Sequence, residues 1–136
     1  MKTTRIIALA ALVAATSLPL HASESDEARL GDIKRTHLMK EDLSVPGREV
    51  VQVRVDIPEG VTAARHNHPG EEIVYVIKGA LEYRLDGRPP VIVKAGEVLF
   101  IPYGTHHEVK NVGSGNATEL ATYIVEKGKP LALLIK

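Results

Sequence analysis

The chain has 136 residues, with 17 Lys and Arg balanced by 17 Asp and Glu, and it contains no cysteine. This length fits a single domain, and the balanced charge lacks the basic excess that a nucleic-acid-binding protein needs. The missing cysteines exclude disulfides, thiolate metal ligands and a cysteine nucleophile. Any metal or catalytic chemistry must therefore use histidine, carboxylates, hydroxyl groups or lysine.

Residues 1–22 have the features of a secretory signal peptide. Lys2 and Arg5 precede an unbroken apolar run over residues 6–15, and Pro19 lies just before a cleavage site that follows Ala22. A membrane anchor would need about 20 apolar residues, which is more than this run supplies. We therefore expect a periplasmic or extracellular protein that begins at Ser23 and has no membrane association after cleavage.

The remaining chain divides at residue 45 into a polar arm and a β-rich domain. Residues 23–44 are charged and show no clear period, which predicts a mobile N-terminal arm available to a partner subunit. Residues 45–136 contain short runs rich in Val, Ile and Tyr, each closed by turn residues, as is typical of an all-β sandwich or barrel. Val51, Val53 and Val55 share one parity within such a run, which predicts that they face the core.

Three further segments carry specific expectations about turns and surfaces. Asp86 and Gly87 predict a two-residue hairpin turn with positive φ at both central positions. Residues 73–77 are apolar at every position, which predicts a strand buried on both faces. The apolar residues 131–135 predict an edge strand that must be covered, and we expect a homodimer to cover it.

Histidines cluster in two short segments and indicate a metal site. His66 and His68 are two residues apart, so on a strand their side chains point to the same face. The chain turns directly after them and returns with Glu71 and Glu72, either of which could add a carboxylate ligand. His107 could supply a third imidazole, but sequence spacing alone does not bring it to the other two.

Residues 60–79, GVTAARHNHPGEEIVYVIKG, and residues 96–111, GEVLFIPYGTHHEVKN, resemble the two sequence motifs of the cupin family. The first motif has the form Gly, five residues, His-x-His, three residues, Glu, six residues, Gly. The second has the form Gly, five residues, Pro-x-Gly, two residues, His, three residues, Asn. All ten specified positions match: Gly60, His66, His68, Glu72, Gly79, Gly96, Pro102, Gly104, His107 and Asn111.

The resemblance implies a single cupin-type β-barrel, a jelly roll, that holds one divalent transition metal. It implies that His66, His68, Glu72 and His107 bind this metal, which would be iron, manganese, nickel, zinc or copper. Glu71 and His106 alternate away from these positions, so we expect them to face solvent or to lie in hinges. The matching glycines are expected at tight barrel corners, and Asn111 is expected to hold a turn by hydrogen bonds to the backbone.

Similarity to small, quercetinase-like cupins makes a metal-dependent dioxygenase acting on a small enol or diol compound our leading hypothesis. An alternative is a metal-dependent decarboxylase of a small carboxylic acid, for which the sequence identifies no positioned acid or base. A further alternative is a non-enzymatic barrel that binds a metal or a small ligand. All three readings involve a small-molecule partner and no nucleic acid.

Overall fold

The computed structural model describes residues 30–135, so the predicted signal peptide and the first part of the predicted arm lie outside the described residues. Within residues 30–135 there is no helix, and hence none that could span a membrane. The ten strands are β1 (Lys34–Asp42), β2 (Arg48–Ile57), β3 (Thr62–Asn67), β4 (Gly70–Lys78), β5 (Ala80–Leu85), β6 (Val91–Lys94), β7 (Val98–Ile101), β8 (His107–Asn111), β9 (Ala117–Glu126) and β10 (Leu133–Leu134).

The strands form two five-stranded antiparallel sheets. The first sheet has the order β1-β2-β9-β4-β7, and the second has the order β10-β3-β8-β5-β6. Their inner faces share one apolar core, which confirms the predicted all-β fold and is consistent with a jelly roll. This core is dominated by valine, a β-branched residue that packs well on a pleated surface.

In the first sheet, side chains along each inner strand alternate between the buried inner face and the outer face. In β2 the residues of odd number are buried, as predicted for Val51, Val53 and Val55. Residues directly opposite each other in an antiparallel pair share a face. Val55 is opposite Glu119 of β9, and Val51 is opposite Tyr123, so the odd-numbered side chains of β9 also face the barrel interior.

Part of the predicted polar arm is an ordered strand. Residues 34–42 form β1, which pairs antiparallel with β2 along nearly its whole length. This strand lies at the edge of its sheet, where most of its side chains remain exposed, so it needs no apolar alternation in its sequence. The expectation of a mobile arm was therefore wrong for residues 34–42.

The turn at Asp86 also differs from its expectation. Leu85 accepts a hydrogen bond from the amide of Arg88, so the chain does turn here, and Gly87 has a φ of 74°. Asp86 has no positive φ, however, and the next strand begins only at Val91. Residues 89 and 90 are both proline and cannot donate to a strand ladder, which lengthens the loop beyond the predicted two residues.

The first of the two apolar segments is buried on one face only, and the second pairs within the chain. In β4 the even-numbered Val74 and Val76 are buried, but Ile73, Tyr75 and Ile77 lie exposed on the outer face of the sheet. The C-terminal strand β10 pairs with β3 of the same chain, which covers part of that edge without a partner subunit. Val98 and Phe100 of β7 lie opposite Tyr75 and Ile73 of β4, so these exposed apolar side chains form one patch.

Candidate metal centre

His66 and His68 reach the barrel interior from the end of β3. The pairing of β3 with β8 shifts its register between Ala63 and His66, and both of these residues are buried. A β-bulge of this kind re-aims the side chains that follow it. His68 lies just beyond the strand and, two residues after His66, is buried on the same side, as the sequence predicts.

His107 and Glu72 join them from two other strands. His107 is the first residue of β8 and stands directly opposite His66 in the β3–β8 ladder. Glu72 belongs to β4 in the other sheet, where its even number places it on the inner face. The site therefore bridges both sheets, and it contains all four residues that the resemblance indicated.

The four side chains are buried and close together. The ring centroid of His66 lies 4.9 Å from that of His68 and 4.4 Å from that of His107. One ligand nitrogen from each of the three rings lies within 4.8 Å of the others, an arrangement that could hold one metal ion. Glu72 Oε2 lies 3.1 Å from His68 Nε2 and 3.3 Å from His107 Nε2.

Backbone carbonyl groups orient all three imidazole rings. His66 Nδ1 lies 2.6 Å from the carbonyl oxygen of Ala64, His68 Nδ1 lies 2.6 Å from that of Leu131, and His107 Nδ1 lies 2.9 Å from that of Thr105. A carbonyl oxygen only accepts, so each Nδ1 carries a hydrogen and donates it. A neutral ring then has its lone pair on Nε2, which is the arrangement of metal-binding histidines.

Two buried atoms at the centre of this cluster have no hydrogen bond to any described residue. They are His68 Nε2 and Glu72 Oε2, which face each other as two acceptors when the imidazole is neutral. Buried polar atoms are normally paired, because an unpaired one costs about 1–3 kcal/mol. A divalent cation would satisfy both atoms together, so the residues present fit a metal of the kind that nitrogen and carboxylate ligands bind.

The pKa values of His66 and Glu72 suit a bound cation, whereas that of His107 favours a proton. Burial, assisted by the neighbouring His107 and His68 rings, lowers the pKa of His66 to about 3, so this ring is neutral at ordinary pH. Burial alone would raise the pKa of Glu72, but His68 and His107 outweigh it and hold that pKa well below its usual range. Burial opposes protonation of His107 as well, yet contact with Glu72 raises its pKa above the ordinary value.

A second buried polar group lies on the same inner surface, and sequence reasoning missed it. The hydroxyl of Tyr83, on β5, donates a hydrogen bond to Glu119 Oε2, on β9, across the barrel interior. Burial and the charge of Glu72 raise the pKa of Glu119 to about 8, so this carboxyl carries a proton at neutral pH. Glu119 has the same odd parity as the apolar Ala117, Ala121 and Tyr123, whose side chains face inward. This alternation in the sequence could have identified Glu119 as a buried residue.

We refer to these two residues as the Glu119–Tyr83 pair. Tyr123 lies between this pair and the metal centre along β9. Its ring centroid lies 4.6 Å from that of His68, and burial raises its pKa well above the ordinary value. Tyr123 thus forms one wall of the metal centre as a neutral side chain.

The other residues discussed from the sequence lie outside the centre. Glu71 is partly exposed on the outer face of β4, and His106 is exposed with its Nδ1 3.4 Å from Asp86. Asn111 donates to the carbonyl oxygens of Ile57 and Gly115 and accepts from the amide of Gly113, which confirms its expected role in a turn. Gly79 has a φ of 85°, and a Cβ there would lie only 2.9 Å from that of Ala117, which confirms the need for glycine at that corner.

Comparison with known proteins agrees with this geometry. A family model described as a cupin domain matches residues 53–129. The oxalate-binding protein of Thermotoga maritima is 29% identical over 96 residues, which is 70% of this chain and 78% of that protein. A crystal structure from the same organism, described as a predicted oxalate decarboxylase, is 29% identical with a TM-score of 0.59, and the match covers 68% of this chain and 80% of that one.

A third relative is similar over a shorter stretch. The dimethylsulfoniopropionate lyase DddQ of Ruegeria pomeroyi is 34% identical over 56 residues, which is 41% of this chain and 28% of the lyase. This sequence match therefore spans only about a quarter of the lyase's length. The family model, in contrast, covers more than half of this chain and includes all four residues of the candidate metal centre. The chain therefore belongs to the cupin family.

Proposed function

We propose that this protein binds a small oxygen-donor ligand at a divalent transition metal held by His66, His68, Glu72 and His107. The observation that carries the proposal concerns His68 Nε2 and Glu72 Oε2. These two buried atoms lie 3.1 Å apart and make no hydrogen bond within the described residues, and a cation would satisfy both of them. Four protein ligands leave positions open on a six-coordinate metal, and a small molecule could occupy them. The name of the oxalate-binding relative fits a ligand of this kind.

A metal at this place supplies Lewis-acid polarisation of the oxygen atoms that bind to it. The residues of the chain determine what else can happen there. Hydrogen bonds from the three Nδ1 atoms to backbone carbonyls hold the imidazole rings in one orientation and one tautomer. The surrounding apolar side chains exclude water, which strengthens the electrostatic interactions within the site.

The Glu119–Tyr83 pair favours decarboxylation as the reaction of this site. In a decarboxylation the bond to the carboxylate carbon breaks, carbon dioxide leaves, and the remaining carbanion takes up one proton. Glu119 is buried on the inner face, and in the metal-free protein it carries a proton at neutral pH, so it is a candidate for the acid that this reaction requires. The crystal structure from T. maritima that is described as a predicted oxalate decarboxylase supports this class of substrate.

The dioxygenase hypothesis rests on the resemblance to quercetinase-like cupins and requires a redox-active metal. Elemental analysis of the protein purified from its own compartment would identify the metal. Oxygen uptake with flavonols, catechols and diketones, and carbon dioxide release from oxalate and related acids, would then separate the two reactions. Oxygen uptake would overturn the decarboxylase assignment, and silence of both panels would leave the binding function alone. A protein with less than stoichiometric metal after reconstitution would contradict the whole proposal.

We also propose that the working protein is a homodimer and that it is periplasmic or extracellular. The exposed apolar side chains on the outer face of β4 and β7, among them Tyr75 and Phe100, support burial of this face against a second copy. The location rests on the sequence of residues 1–22 alone. Light scattering on the purified protein tests the dimer, and N-terminal sequencing of the secreted form tests the leader.

A further inference from the structure

Residues 30–33, which precede β1, contact the strand that carries two of the candidate metal ligands. We call these residues the anchor segment. Leu30 is fully buried, and Ile33 packs against the apolar core. The carbonyl oxygen of Leu30 accepts a hydrogen bond of 2.9 Å from the amide of Ala64 in β3. The anchor segment is therefore a buried part of the fold that is bonded directly to β3.

Ala64 lies in the bulge of β3, where the ladder with β8 is interrupted. Ala63 and His66 have ladder partners in β8. The two residues between them, Ala64 and Arg65, have none in that strand. The amide of Ala64 donates to Leu30 instead, and its carbonyl oxygen lies 2.6 Å from Nδ1 of His66 and accepts from it. A single residue thus joins the anchor segment to a candidate metal ligand by two hydrogen bonds.

The close approach of the anchor segment to β3 depends on Gly31. Its φ of 115° lies in a region that residues with a side chain rarely adopt. A Cβ at this position would also lie 2.9 Å from the backbone carbonyl oxygen of Thr62, which is two residues before Ala64. A larger residue at position 31 must therefore move the anchor segment away from β3 or distort the strand next to its bulge.

The orientation of His66 depends on where the bulge holds the carbonyl group of Ala64. A hydrogen bond at Nδ1 fixes both the tautomer and the ring orientation of a metal-binding imidazole, whose Nε2 then points at the ion. The regular ladder with β8 does not hold this carbonyl in place. The amide of Ile135 holds the carbonyl of Arg65, the other bulge residue, which leaves the position of Ala64 to the anchor segment.

We propose that Leu30 and Gly31 are positioning residues of the metal centre, which set the orientation of His66 through the backbone of Ala64. This inference rests on the proposed function, because it assumes that His66 binds the metal. It extends the centre to a segment outside the two sheets and outside the two sequence motifs. Displacement of the anchor segment should weaken metal binding although all four candidate ligands remain in the chain.

The test titrates the full chain with Co²⁺, whose visible absorption reports both its binding and the arrangement of its ligands. In Gly31→Ala we expect Co²⁺ affinity reduced by about tenfold, the lower end of the range for groups that orient metal ligands. We also expect the absorption bands of the saturated variant to differ from those of wild type, because His66 approaches the ion differently. Reduced affinity with wild-type bands would indicate only a less stable fold and would overturn the assignment.

Gly47→Ala is the matched control. Gly47 has a φ of 75°, so alanine introduces backbone strain there as well, but nothing lies within 4 Å of an added Cβ. It lies in the turn between β1 and β2, which belong to the other sheet from β3. We expect Co²⁺ affinity and absorption bands as in wild type. Equal loss of affinity in Gly47→Ala and Gly31→Ala would overturn the assignment, because it would indicate a general effect of backbone strain.

Two substitutions of Leu30 decide the question if Gly31→Ala does not fold. Leu30→Ala removes most of a buried side chain, so the anchor segment detaches more readily, and we expect a several-fold loss of Co²⁺ affinity. Leu30→Met keeps an apolar side chain of similar volume and should bind Co²⁺ as wild type does. Equal affinity in wild type and Leu30→Ala would contradict the role of the anchor segment.

The outcomes also distinguish this inference from the proposed function. Wild-type protein that does not bind Co²⁺ stoichiometrically contradicts both. Wild-type protein that binds one Co²⁺, together with a folded Gly31→Ala variant of the same affinity and the same absorption bands, contradicts only the role of the anchor segment.

Discussion

The metal centre and the Glu119–Tyr83 pair lie on the same inner surface of the barrel, yet their buried polar atoms are satisfied differently. Tyr83 donates its hydroxyl hydrogen to Glu119, and a proton neutralises the carboxyl group. In the metal centre the atoms His68 Nε2 and Glu72 Oε2 have no hydrogen bond within the described part of the chain. The difference indicates that a proton satisfies the buried groups of the Glu119–Tyr83 pair, whereas the buried groups of the metal centre require a metal cation.

The surroundings explain why the two carboxylates behave in opposite ways. Glu72 and Glu119 are both buried on neighbouring strands of one sheet. Two imidazole rings surround Glu72 and stabilise its charged form, which lowers its pKa. Burial dominates at Glu119, and the charge of Glu72 adds to it, which raises its pKa. Pairs of carboxyl groups whose pKa values are shifted in opposite directions are typical of active sites. There the ionised group binds a cation or stabilises a charge, and the protonated group transfers a proton.

The largest expected effect is loss of the metal when an imidazole is removed. His107→Ala should weaken metal binding by about 100-fold or more, because it removes one of three converging nitrogen atoms. His106→Ala is the matched control, since the neighbouring side chain is exposed and points away from the centre. Metal titration monitored by calorimetry measures both variants. Equal metal affinity in wild type and His107→Ala would remove the distinction between the two clusters.

Removal of the metal should produce the next largest effect, a loss of stability. A ligand present at 100 times its dissociation constant stabilises the folded state by about 2.7 kcal/mol. For a domain of this size we expect chelation to lower the melting temperature by roughly 10 °C. Differential scanning calorimetry with and without EDTA measures this change. His107→Ala should melt at the same temperature in both conditions, and a comparable EDTA effect in that variant would contradict the assignment.

A third expected effect, similar in size to that of metal removal, is a pH dependence of stability that originates at Glu119. Its pKa is raised from 4.5 to about 8 in the folded protein. Between these values the folded state holds a proton that the unfolded chain has released, so stability decreases as the pH rises. Relative to Glu119→Gln, which cannot titrate, metal-free wild type should lose roughly 2–4 kcal/mol between pH 5 and pH 8.

Urea denaturation at the two pH values measures this difference. Glu71→Gln is the matched control, because it removes a carboxyl from the outer face of the sheet and should track the wild type. A wild-type protein whose stability changes with pH in parallel with Glu119→Gln would show that Glu119 titrates normally. The Glu119–Tyr83 pair would then not be neutralised by a proton at neutral pH, and its contrast with the metal centre would be lost.

Much of the candidate centre could be predicted because its residues follow local rules. The spacing of His66 and His68 places both rings on one face of a strand, and the structure shows them buried together. The choice of Glu72 over Glu71 came from the family resemblance, and the inward parity of β4 agrees with it. Glu119 could have been identified by the same reasoning on parity, since it alternates with buried residues of β9.

The contact of Leu30 with Ala64 and the apolar outer face of β4 could not be predicted in this way. Leu30 lies in a mostly charged and polar stretch of sequence, where no alternation indicates that it is buried. Its place beside β3 follows only from the tertiary structure. Likewise, the apolar run at residues 73–77 predicts a strand that is buried on both faces. Only the packing of the second sheet decides that the face with Val74 and Val76 is the one covered within the chain.

The amino-acid sequence by itself determined the all-β character, the strand faces and the types of ligand available, because these depend on the alternation and chemistry of neighbouring residues. The tertiary structure alone decided that His107 stands opposite His66, that Glu72 approaches from the other sheet, and that Leu30 contacts Ala64. These relations join residues far apart in the chain. They arise when many strands pack at once, and no local period in the sequence records which strands become neighbours.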